Sequence, residues 1–177
     1  MIQKVIRGRD SVRKIGTLME KLEMKRPLIV GSGKLIPHLA RQEALREAPV
    51  FSGYHPNPDL SDAEEGARIF AEKGCDSLIS IGGGSAMDTA KAVKALLCAG
   101  SLEEVKQNRL QEKRIPHLAI PGTAGSGAEA TANGVLYENG VKLSIGHETL
   151  LPEGVILDPA LLESLPEYHK KSCALDA

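Results

Sequence analysis

The stretch Ser77-Leu-Ile-Ser-Ile-Gly-Gly-Gly-Ser-Ala-Met-Asp-Thr-Ala-Lys91 decides the fold class of this chain. A short apolar run ends in three glycines and a serine, and a helix-forming segment from Ala86 to about Leu97 begins at once. Because glycine has no Cβ atom, the N–H groups of such a turn can approach a phosphate closely, and the helix dipole favours its negative charge. The stretch therefore predicts a strand, a tight turn and a helix N-terminus that holds the pyrophosphate of a dinucleotide.

A second interpretation of the same stretch needs no ligand. Glycines also make tight turns between strands and helices, and Ser85 with Asp88 fits the Ser-x-x-Asp pattern of a capping box. The spacing is not Gly-x-Gly-x-x-Gly, and Gly33-Lys34 lacks the flanking residues of a Walker A loop. The stretch by itself therefore leaves phosphate binding and helix capping both open.

Composition restricts the class of protein. The chain has 177 residues, enough for one α/β domain or a small pair. A net charge of −1, only 3% aromatic residues and no Trp argue against a nucleic-acid partner. Three scattered cysteines without a Cys-x-x-Cys pair favour a reducing compartment. With no secretory signal pattern and no membrane-length apolar run, we expect a soluble cytoplasmic protein.

Strand-like and helix-like segments alternate along the chain. Strands are predicted at residues 1–7, 27–31, 50–54, 77–81, 115–120 and 155–157, and helices at 10–24, 35–46, 61–73, 86–97 and from 166 to the end. The helix at 61–73 follows a rigid turn at 55–59, with Ser61 as N-cap and Glu64 as its capping-box partner. Asn139-Gly140 predicts a hairpin between 135–137 and 142–145. Strands that are apolar throughout indicate a parallel sheet with helices on both faces.

Three glycine-rich turns follow predicted strands. They are Gly31-Ser-Gly33, Gly82 to Ser85, and the loop Pro121 to Gly127. Because ligands of open parallel sheets bind at the carboxyl ends of the strands, we expect these turns to converge on one edge. Three converging turns favour a nucleotide site more strongly than any one of them does.

The motifs match a known family in order and span nearly the whole chain. Gly82-Gly-Gly-Ser-Ala-Met-Asp-Thr-Ala-Lys91 resembles the Gly-Gly-Gly-Ser-x-x-Asp-x-x-Lys motif of the iron-containing (group III) alcohol dehydrogenases. Ile120-Pro-Gly-Thr-Ala-Gly-Ser-Gly-Ala-Glu129 is similar to their Pro-Thr-Thr-Ala-Gly-Thr-Gly-Ser-Glu loop. Asn57-Pro58 matches their Asn-Pro turn before a helix, and Leu157-Asp158-Pro159 matches their Leu/Val-Asp-Pro strand end.

The resemblance implies a Rossmann-like α/β fold, the N-terminal half of a two-domain, dehydroquinate-synthase-like architecture. Residues 1–165 would form the NAD(P)-binding domain, and residues 166–177 would begin a helical metal-binding domain. The implied chemistry is hydride transfer between a small alcohol or aldehyde and NAD(H) or NADP(H). A divalent metal, iron or zinc, polarises the substrate oxygen in that family.

The resemblance also implies roles for individual residues. Gly82, Gly83, Gly84 and Ser85 would take the pyrophosphate, and Asp88 would lie near the nicotinamide-side ribose. The second loop would lie along the adenosine side. The residues concerned there are Thr123, Ala124, Gly125 and Ser126, and further cofactor contacts are implied for Asn57, Asn133 and Lys142.

The chain departs from the family pattern in places. Gly122 replaces the first Thr of the second loop, and Ala128 replaces a small polar residue. Ser32 stands where many members carry an acid that accepts from the ribose 2′-OH, so we lean slightly to NADP while NAD stays open.

The end of the chain matters most. Leu175-Asp176-Ala177 resembles the start of the family's Asp-Ala-x-x-His segment, which makes Asp176 the implied first metal ligand. The histidines that complete that site are not in these 177 residues, so this chain is expected to bind nucleotide without turnover. Two alternatives are a truncated, catalytically inactive binding module and a related lyase or synthase such as dehydroquinate synthase. An apolar face left uncovered would favour a homo-oligomer.

Overall fold

The computed structural model describes residues 2–31, 33–111 and 113–176. The strands within these ranges are β1 Lys4–Arg7, β2 Pro27–Gly31, β3 Val50–Phe51, β4 Ser77–Gly82, β5 His117–Pro121, β6 Asn133–Glu138, β7 Val141–Gly146 and β8 Gly154–Leu157. The α-helices are α1 Ile15–Leu22, α2 Ile36–Leu39, α3 Leu60–Glu72, α4 Gly84–Cys98, α5 Leu102–Lys106 and α6 Glu167–Asp176. Within the same ranges, no helix is both long and apolar enough to cross a membrane.

Six of the strands form one parallel sheet in the order β1-β8-β5-β4-β2-β3. Every residue of β2, β4 and β5 is buried, as expected for strands covered on both sides. The remaining pair, β6 and β7, is an antiparallel hairpin. Its turn residues Asn139 and Gly140 both have positive φ, which is the conformation that a type I′ turn requires, so the Asn-Gly prediction is confirmed.

Helices cover both faces of the parallel sheet, as predicted. Along β4, side chains alternate between the two faces. Ile79 and Ile81 pack into a core cluster with residues of α1, whereas Leu78 packs into a second cluster with residues of α3 and α4. The fold is therefore an α/β layered architecture of the Rossmann-like class.

The strand order places a crevice between β2 and β4. The connection from β2 leads to β3 at one edge of the sheet, and the connection from β3 returns to β4 on the other side of β2. Ligands of doubly wound sheets bind outside the carboxyl ends of the strands at such a switch point. Here those ends are Gly31 and Gly82, which both lie in predicted glycine turns.

The predicted helix at 35–46 is wrong. The chain instead forms the short α2 and a separate 3-10 turn at Glu43–Leu45, with Gln42 extended at φ −88° and ψ 120°. Leu39 and Leu45 are both buried in the same core cluster. Because residues six apart lie about 120° apart around a straight helix, the break at Gln42 lets both side chains reach that cluster.

Other strand bounds also change. β1 begins at Lys4, so residues 2 and 3 are not in the strand. β3 ends at Phe51 rather than at residue 54, and β5 runs from His117 to Pro121 rather than from 115 to 120. Ile115 stays outside the ladder although it is buried in the core, whereas the Pro116 carbonyl oxygen accepts from the Leu78 N–H at 2.8 Å. Burial of an apolar side chain, which the sequence pattern detects, therefore does not by itself require a ladder hydrogen bond.

Candidate functional site

The N-terminus of α4 is open. Gly83 is its N-cap residue, and no side chain makes a capping hydrogen bond there. Ser85 and Asp88 lie inside the helix, so the capping-box interpretation of this stretch is wrong. Because the first N–H groups of a helix have no carbonyl four residues earlier, this turn presents donors and a positive dipole end without a protein acceptor on a side chain. Gly82, at φ 155°, adopts a backbone conformation that other residues rarely use.

The second loop lies directly against this turn. The Gly122 N–H donates to the Gly82 carbonyl oxygen at 2.7 Å. A Cβ atom built on Gly83 would lie 3.3 Å from both Cγ2 and Oγ1 of Thr123, and one built on Gly84 would lie 3.2 Å from Oγ of Ser126. The structure therefore brings the two predicted glycine-rich segments together, and their close approach leaves little room for side chains on the turn.

Gly122 has a structural reason to depart from the family's threonine. A Cβ atom at this position would lie 2.3 Å from Leu35 Cδ1 and 3.3 Å from Gly82 Cα. A threonine would require the Leu35 side chain to change rotamer. Gly122 thus allows the second loop to pack against the end of β4 without displacing the Leu35 side chain.

The turn that contains Asn57 contacts the first turn of α4. The hydroxyl of Ser85, in the first turn of α4, donates to the Pro56 carbonyl oxygen. This contact joins the turn before α3 to the glycine turn before α4. A pocket of about 400 Å³ lies at this turn, lined by His55, Pro56, Asn57, Asp59 and Ser61. The side chain of Asn57 is exposed beside it.

The predicted cap of α3 is wrong by two residues. Asp59, not Ser61, is the N-cap, and Asp62 rather than Glu64 completes the capping box. The buried Asp62 carboxylate accepts from the backbone N–H of Asp59 at 2.8 Å and from that of His55 at 3.0 Å. Both pairs fit the capping pattern in sequence, but only this register also holds the preceding turn. Asp62 is therefore a residue that sequence reasoning missed.

Asp88 and Lys91 lie one turn apart on α4, below the open end. Burial raises the pKa of Asp88 to about 6, against the opposing effects of Lys91, the Val135 N–H and Lys142. Burial also lowers the pKa of Lys91 to about 8, against the effects of Asp88 and Glu129. Asp88, predicted near the ribose, and Lys142, predicted as a further cofactor contact, therefore interact electrostatically across α4 and the hairpin.

Lys91 is fully buried, and sequence reasoning gave it no role. Its Nζ donates to the carbonyl oxygens of Ala128 at 2.7 Å and Asn133 at 2.6 Å, and to Thr131 Oγ1 at 3.0 Å. The Asp-x-x-Lys spacing of the motif places Lys91 beside Asp88 but does not predict that Lys91 is buried. The backbone carbonyl of Asn133 therefore contacts Lys91. The side-chain oxygen of Asn133 lies beside Gly146, 2.7 Å from where a Cβ atom built on that glycine would be.

The C-terminal helix α6 lies against the second loop. A Cβ atom on Gly125 would lie 3.1 Å from Asp176 Oδ2 and 3.2 Å from Cys173 Cα. Within the described ranges, no three His, Cys, Asp or Glu side chains come together in a way that would hold a metal ion. A catalytic metal needs about three protein ligands, so Asp176 by itself does not fit a metal centre.

The predicted residues form two groups in the structure, and Asn57, Ala124 and Gly125 lie outside them. Gly82, Gly83, Gly84, Ser85, Thr123 and Ser126 meet at the end of β4, Gly125 meets α6, and Ala124 is exposed on the second loop. Asp88, Asn133 and Lys142 are linked through α4 and the hairpin. The NADP preference was drawn from Ser32, which lies outside the described residues.

A larger pocket lies elsewhere. About 760 Å³ in volume, it is lined by residues at the amino ends of the strands, including Arg26, Pro27 and Arg46. It is therefore at the opposite edge of the sheet from the glycine turns. Strand direction and turn chemistry, rather than cavity volume, point to the carboxyl edge as the candidate site.

Comparisons with known proteins identify the family of the chain. The family model described as "Iron-containing alcohol dehydrogenase" matches residues 3–159. An NAD-dependent methanol dehydrogenase of Bacillus methanolicus is 32% identical over 181 aligned residues, covering 96% of this chain and 48% of the relative.

Solved structures give the same result. A 1,3-propanediol oxidoreductase superposes with a TM-score of 0.90 at 26% identity, over 98% of this chain and 48% of that one. Sulfoacetaldehyde reductase from Bifidobacterium kashiwanohense, solved in complex with NAD+, gives 0.88 at 26% identity, over 98% and 49%. The chain spans about half the length of the relatives it matches.

Proposed function

The chain belongs to the iron-containing alcohol dehydrogenase family, and from that premise we propose that it is the dinucleotide-binding part of an NAD(P)-dependent oxidoreductase. The proposed reaction interconverts a small alcohol and an aldehyde or ketone. One observation carries the proposal: the uncapped N-terminus of α4 lies at the switch point of the sheet, directly under the second glycine loop. Free N–H groups and a positive dipole end at that place suit a pyrophosphate.

The proposed roles follow these two groups of residues. The N–H groups of Gly83, Gly84 and Ser85 bind the pyrophosphate, and the close packing of Thr123 and Ser126 keeps the turn compact. The Thr123 to Ser126 loop lies along the adenosine side. When bound, the nicotinamide supplies hydride transfer.

The ribose side is assigned to Asp88 on α4 and Lys142 on the hairpin. The Asp88 carboxylate accepts a hydrogen bond from a ribose hydroxyl near the nicotinamide. Lys142 lies close enough to Asp88 to lower the pKa of that carboxyl. Asn57 and Asn133 are proposed as further contacts at the two flanks. The slight preference for NADP stays a prediction, which titration with both nucleotides tests.

Turnover is assigned to the whole protein and not to this chain alone. We propose that iron or zinc is held by Asp176 together with residues outside these 177 positions, since the described residues provide no complete set. A homo-oligomer, a small-molecule substrate and a cytoplasmic location also stay predictions. Sedimentation analysis checks the first of these.

The test uses protein expressed from the complete reading frame that encodes this chain. It is loaded with Fe²⁺ or Zn²⁺ and assayed for alcohol-dependent reduction of NAD and NADP across a panel of small alcohols. We expect reduction with at least one alcohol. Asp176→Ala is expected to abolish turnover while leaving nucleotide affinity unchanged, because its carboxylate is assigned to the metal and not to the nucleotide.

Nucleotide binding without reduction, for every metal and alcohol tried, would contradict the oxidoreductase proposal. That outcome favours the alternatives, a catalytically inactive binding module or a lyase or synthase on the same fold. Loss of nucleotide affinity in Asp176→Ala would contradict the division of roles between α6 and the glycine turn.

A further inference from the structure

Lys91 is an unusual residue for the middle of a helix that packs on a sheet. Its side chain is completely buried, and lysine is almost never fully buried unless it is paired. Its ammonium group is satisfied by three oxygen atoms, the carbonyls of Ala128 and Asn133 and the hydroxyl of Thr131, at 2.6 to 3.0 Å. Three donors thus meet three acceptors, which is the full capacity of an ammonium group.

All three acceptors belong to one short segment of chain. Residues 128–133 join the second loop to the hairpin, and they include the 3-10 turn Ala128–Ala130 that follows Gly127 at φ 60°. Two other hydrogen bonds reach this segment: Gln3 Nε2 donates to the Glu129 carbonyl oxygen at 2.7 Å, and the His147 N–H donates to the Ala132 carbonyl oxygen at 3.2 Å. Neither donor belongs to α4, so the Lys91 hydrogen bonds hold the segment, and with it the end of the second loop, against α4.

The charges around Lys91 come from several elements. Asp88 on the same helix and Glu129 on the 3-10 turn both act to raise its pKa. His117 on β5 is fully buried, and burial together with Lys94 and Lys91 lowers its pKa well below the usual range, so it is neutral beside them. The one carboxylate nearest to Lys91 on its own helix, Asp88, is the residue proposed at the ribose.

We propose that Lys91 is a positioning residue for nucleotide binding, which ties segment 128–133 to α4 and so holds the second loop over the glycine turn. This inference rests on the proposed function, and it adds a role that the glycine motif does not require. The three hydrogen bonds of its ammonium group leave Lys91 no donor for a nucleotide group. It acts through Asp88 on one side and through the second loop and Asn133 on the other.

α4 offers a matched control in Lys94. Its side chain is also buried, and its Nζ pairs with Glu153 Oε1 at 2.8 Å. The other oxygen of Glu153 accepts from the His117 N–H at 2.6 Å. That network holds the start of β5 and the residue before β8, and it includes none of the residues proposed at the nucleotide. The two lysines are therefore both buried on α4, but they bind different parts of the chain: Lys91 binds segment 128–133, and Lys94 binds Glu153.

The experiment compares Lys91→Met with Lys94→Met in the full 177-residue chain. Amide hydrogen exchange is measured over residues 122–134 without nucleotide, and affinity for NAD and NADP is measured by calorimetry. We expect exchange in that segment to accelerate at least about tenfold, and affinity to fall about tenfold or more, in Lys91→Met only, because the lost hydrogen bonds involve a charged donor. Lys94→Met is expected to lower the melting temperature without either effect.

A milder variant covers the case in which Lys91→Met does not fold. Thr131→Val removes one acceptor from a residue that is exposed, and it keeps the shape of the side chain. It is expected to lower nucleotide affinity by about two- to fivefold with little change in melting temperature.

Three outcomes would overturn the inference. They are equal exchange over 122–134 in both lysine variants, equal loss of affinity in both, and an unchanged affinity in Thr131→Val. Wild-type chain that binds neither nucleotide would contradict the proposed function, and that failure is seen without any variant. The exchange comparison still decides whether Lys91 holds the loop.

Discussion

The N-termini of α3 and α4 lie side by side at the carboxyl ends of the strands, and they are capped differently. At α3 the chain closes its own helix, since Asp59 accepts from the Ser61 N–H and Asp62 accepts from the Asp59 N–H. At α4 the N-cap is Gly83, and no side chain does the same. The closed end stiffens the turn that contacts Ser85, and the open end is left with donors for a ligand.

This contrast explains why two similar stretches have different roles. A capped helix end is satisfied without a partner and contributes about 1 kcal/mol to stability. An uncapped end gives up that contribution and gains affinity for an anion. Variants that fill the open end or loosen the closed end should therefore affect binding and stability in different proportions.

Filling the open end should have the largest effect. Gly83→Val places methyl groups among the N–H donors, at a site where even a Cβ would lie 3.3 Å from the Thr123 side chain. We expect affinity for NAD and NADP to fall by about a hundredfold or more, which corresponds to roughly 2.7 kcal/mol. Calorimetric titration measures this.

The control for that variant is a glycine with open surroundings. Gly16→Val in α1 adds a Cβ that meets nothing within 4 Å. It should leave nucleotide affinity unchanged. If Gly83→Val binds nucleotide as tightly as Gly16→Val does, the glycine turn is not the pyrophosphate site.

Loosening the closed end should act mainly on stability. Asp62→Ala leaves the N–H groups of Asp59 and His55 without their acceptor, and Asp62 is buried. We expect a loss of about 2–3 kcal/mol in the free energy of unfolding, measured by urea denaturation, with a smaller, several-fold loss of nucleotide affinity through the Pro56–Asn57 turn.

Glu64 provides the matched control, because it fits the capping pattern in sequence but is not the cap partner in the structure. Glu64→Ala should change stability by less than about 0.5 kcal/mol, as is usual for an exposed residue. A larger loss in Glu64→Ala than in Asp62→Ala would contradict the assigned register of this helix end.

Asp88→Asn should move stability and affinity in opposite directions. The pKa of Asp88 is raised from 3.8 to about 6, chiefly by burial, so Asp88 is mostly ionised in the folded state at neutral pH but its ionisation lowers the stability of the fold. Removing the charge should stabilise the fold by about 1–2 kcal/mol and weaken nucleotide binding by about tenfold, because a carboxylate is the stronger acceptor. Denaturation and titration of one preparation test both. A parallel loss of both properties would indicate a purely structural residue.

The raised pKa of the Asp88 carboxyl also predicts a modest pH dependence of stability and of nucleotide affinity. Because its folded pKa lies above the ordinary value, the contribution of Asp88 to stability is fully present below pH 3.8 and is lost as pH rises through about 6. Wild type should therefore lose stability relative to Asp88→Asn over that interval, while its nucleotide affinity rises. Melting and binding curves at several pH values give both quantities. An identical pH dependence in the two proteins would contradict the assignment.

Local patterns predicted the layered fold and the glycine turn. The apolar runs of β2, β4 and β5 and the Asn139-Gly140 turn depend on neighbours in sequence, and each lies within a few residues of its predicted place. The helix break at Gln42 was not predictable in this way. It depends on where Leu39 and Leu45 meet the core, which the sequence pattern of one segment does not contain.

The missed site residues depend on contacts that are distant in sequence. Ser61 with Glu64 and Asp59 with Asp62 satisfy the same capping pattern, and the choice between them depends on the turn that Asp62 also holds. Lys91, three residues after Asp88, has the spacing of an ordinary surface ion pair. Its ammonium group is buried only because residues 128–133, some forty positions later in the chain, pack against it.

The most direct test of nucleotide binding at the glycine turn is calorimetric titration of the 177-residue chain with NAD and with NADP. We expect saturable binding of at least one of them at a single site per chain, with a rise of about 2.7 kcal/mol in unfolding free energy at a hundredfold excess over the dissociation constant. We also expect Gly83→Val to remove both signals while the folded chain persists. Absence of heat and of any stabilisation with both nucleotides, in wild-type chain that is folded, would contradict binding at this turn.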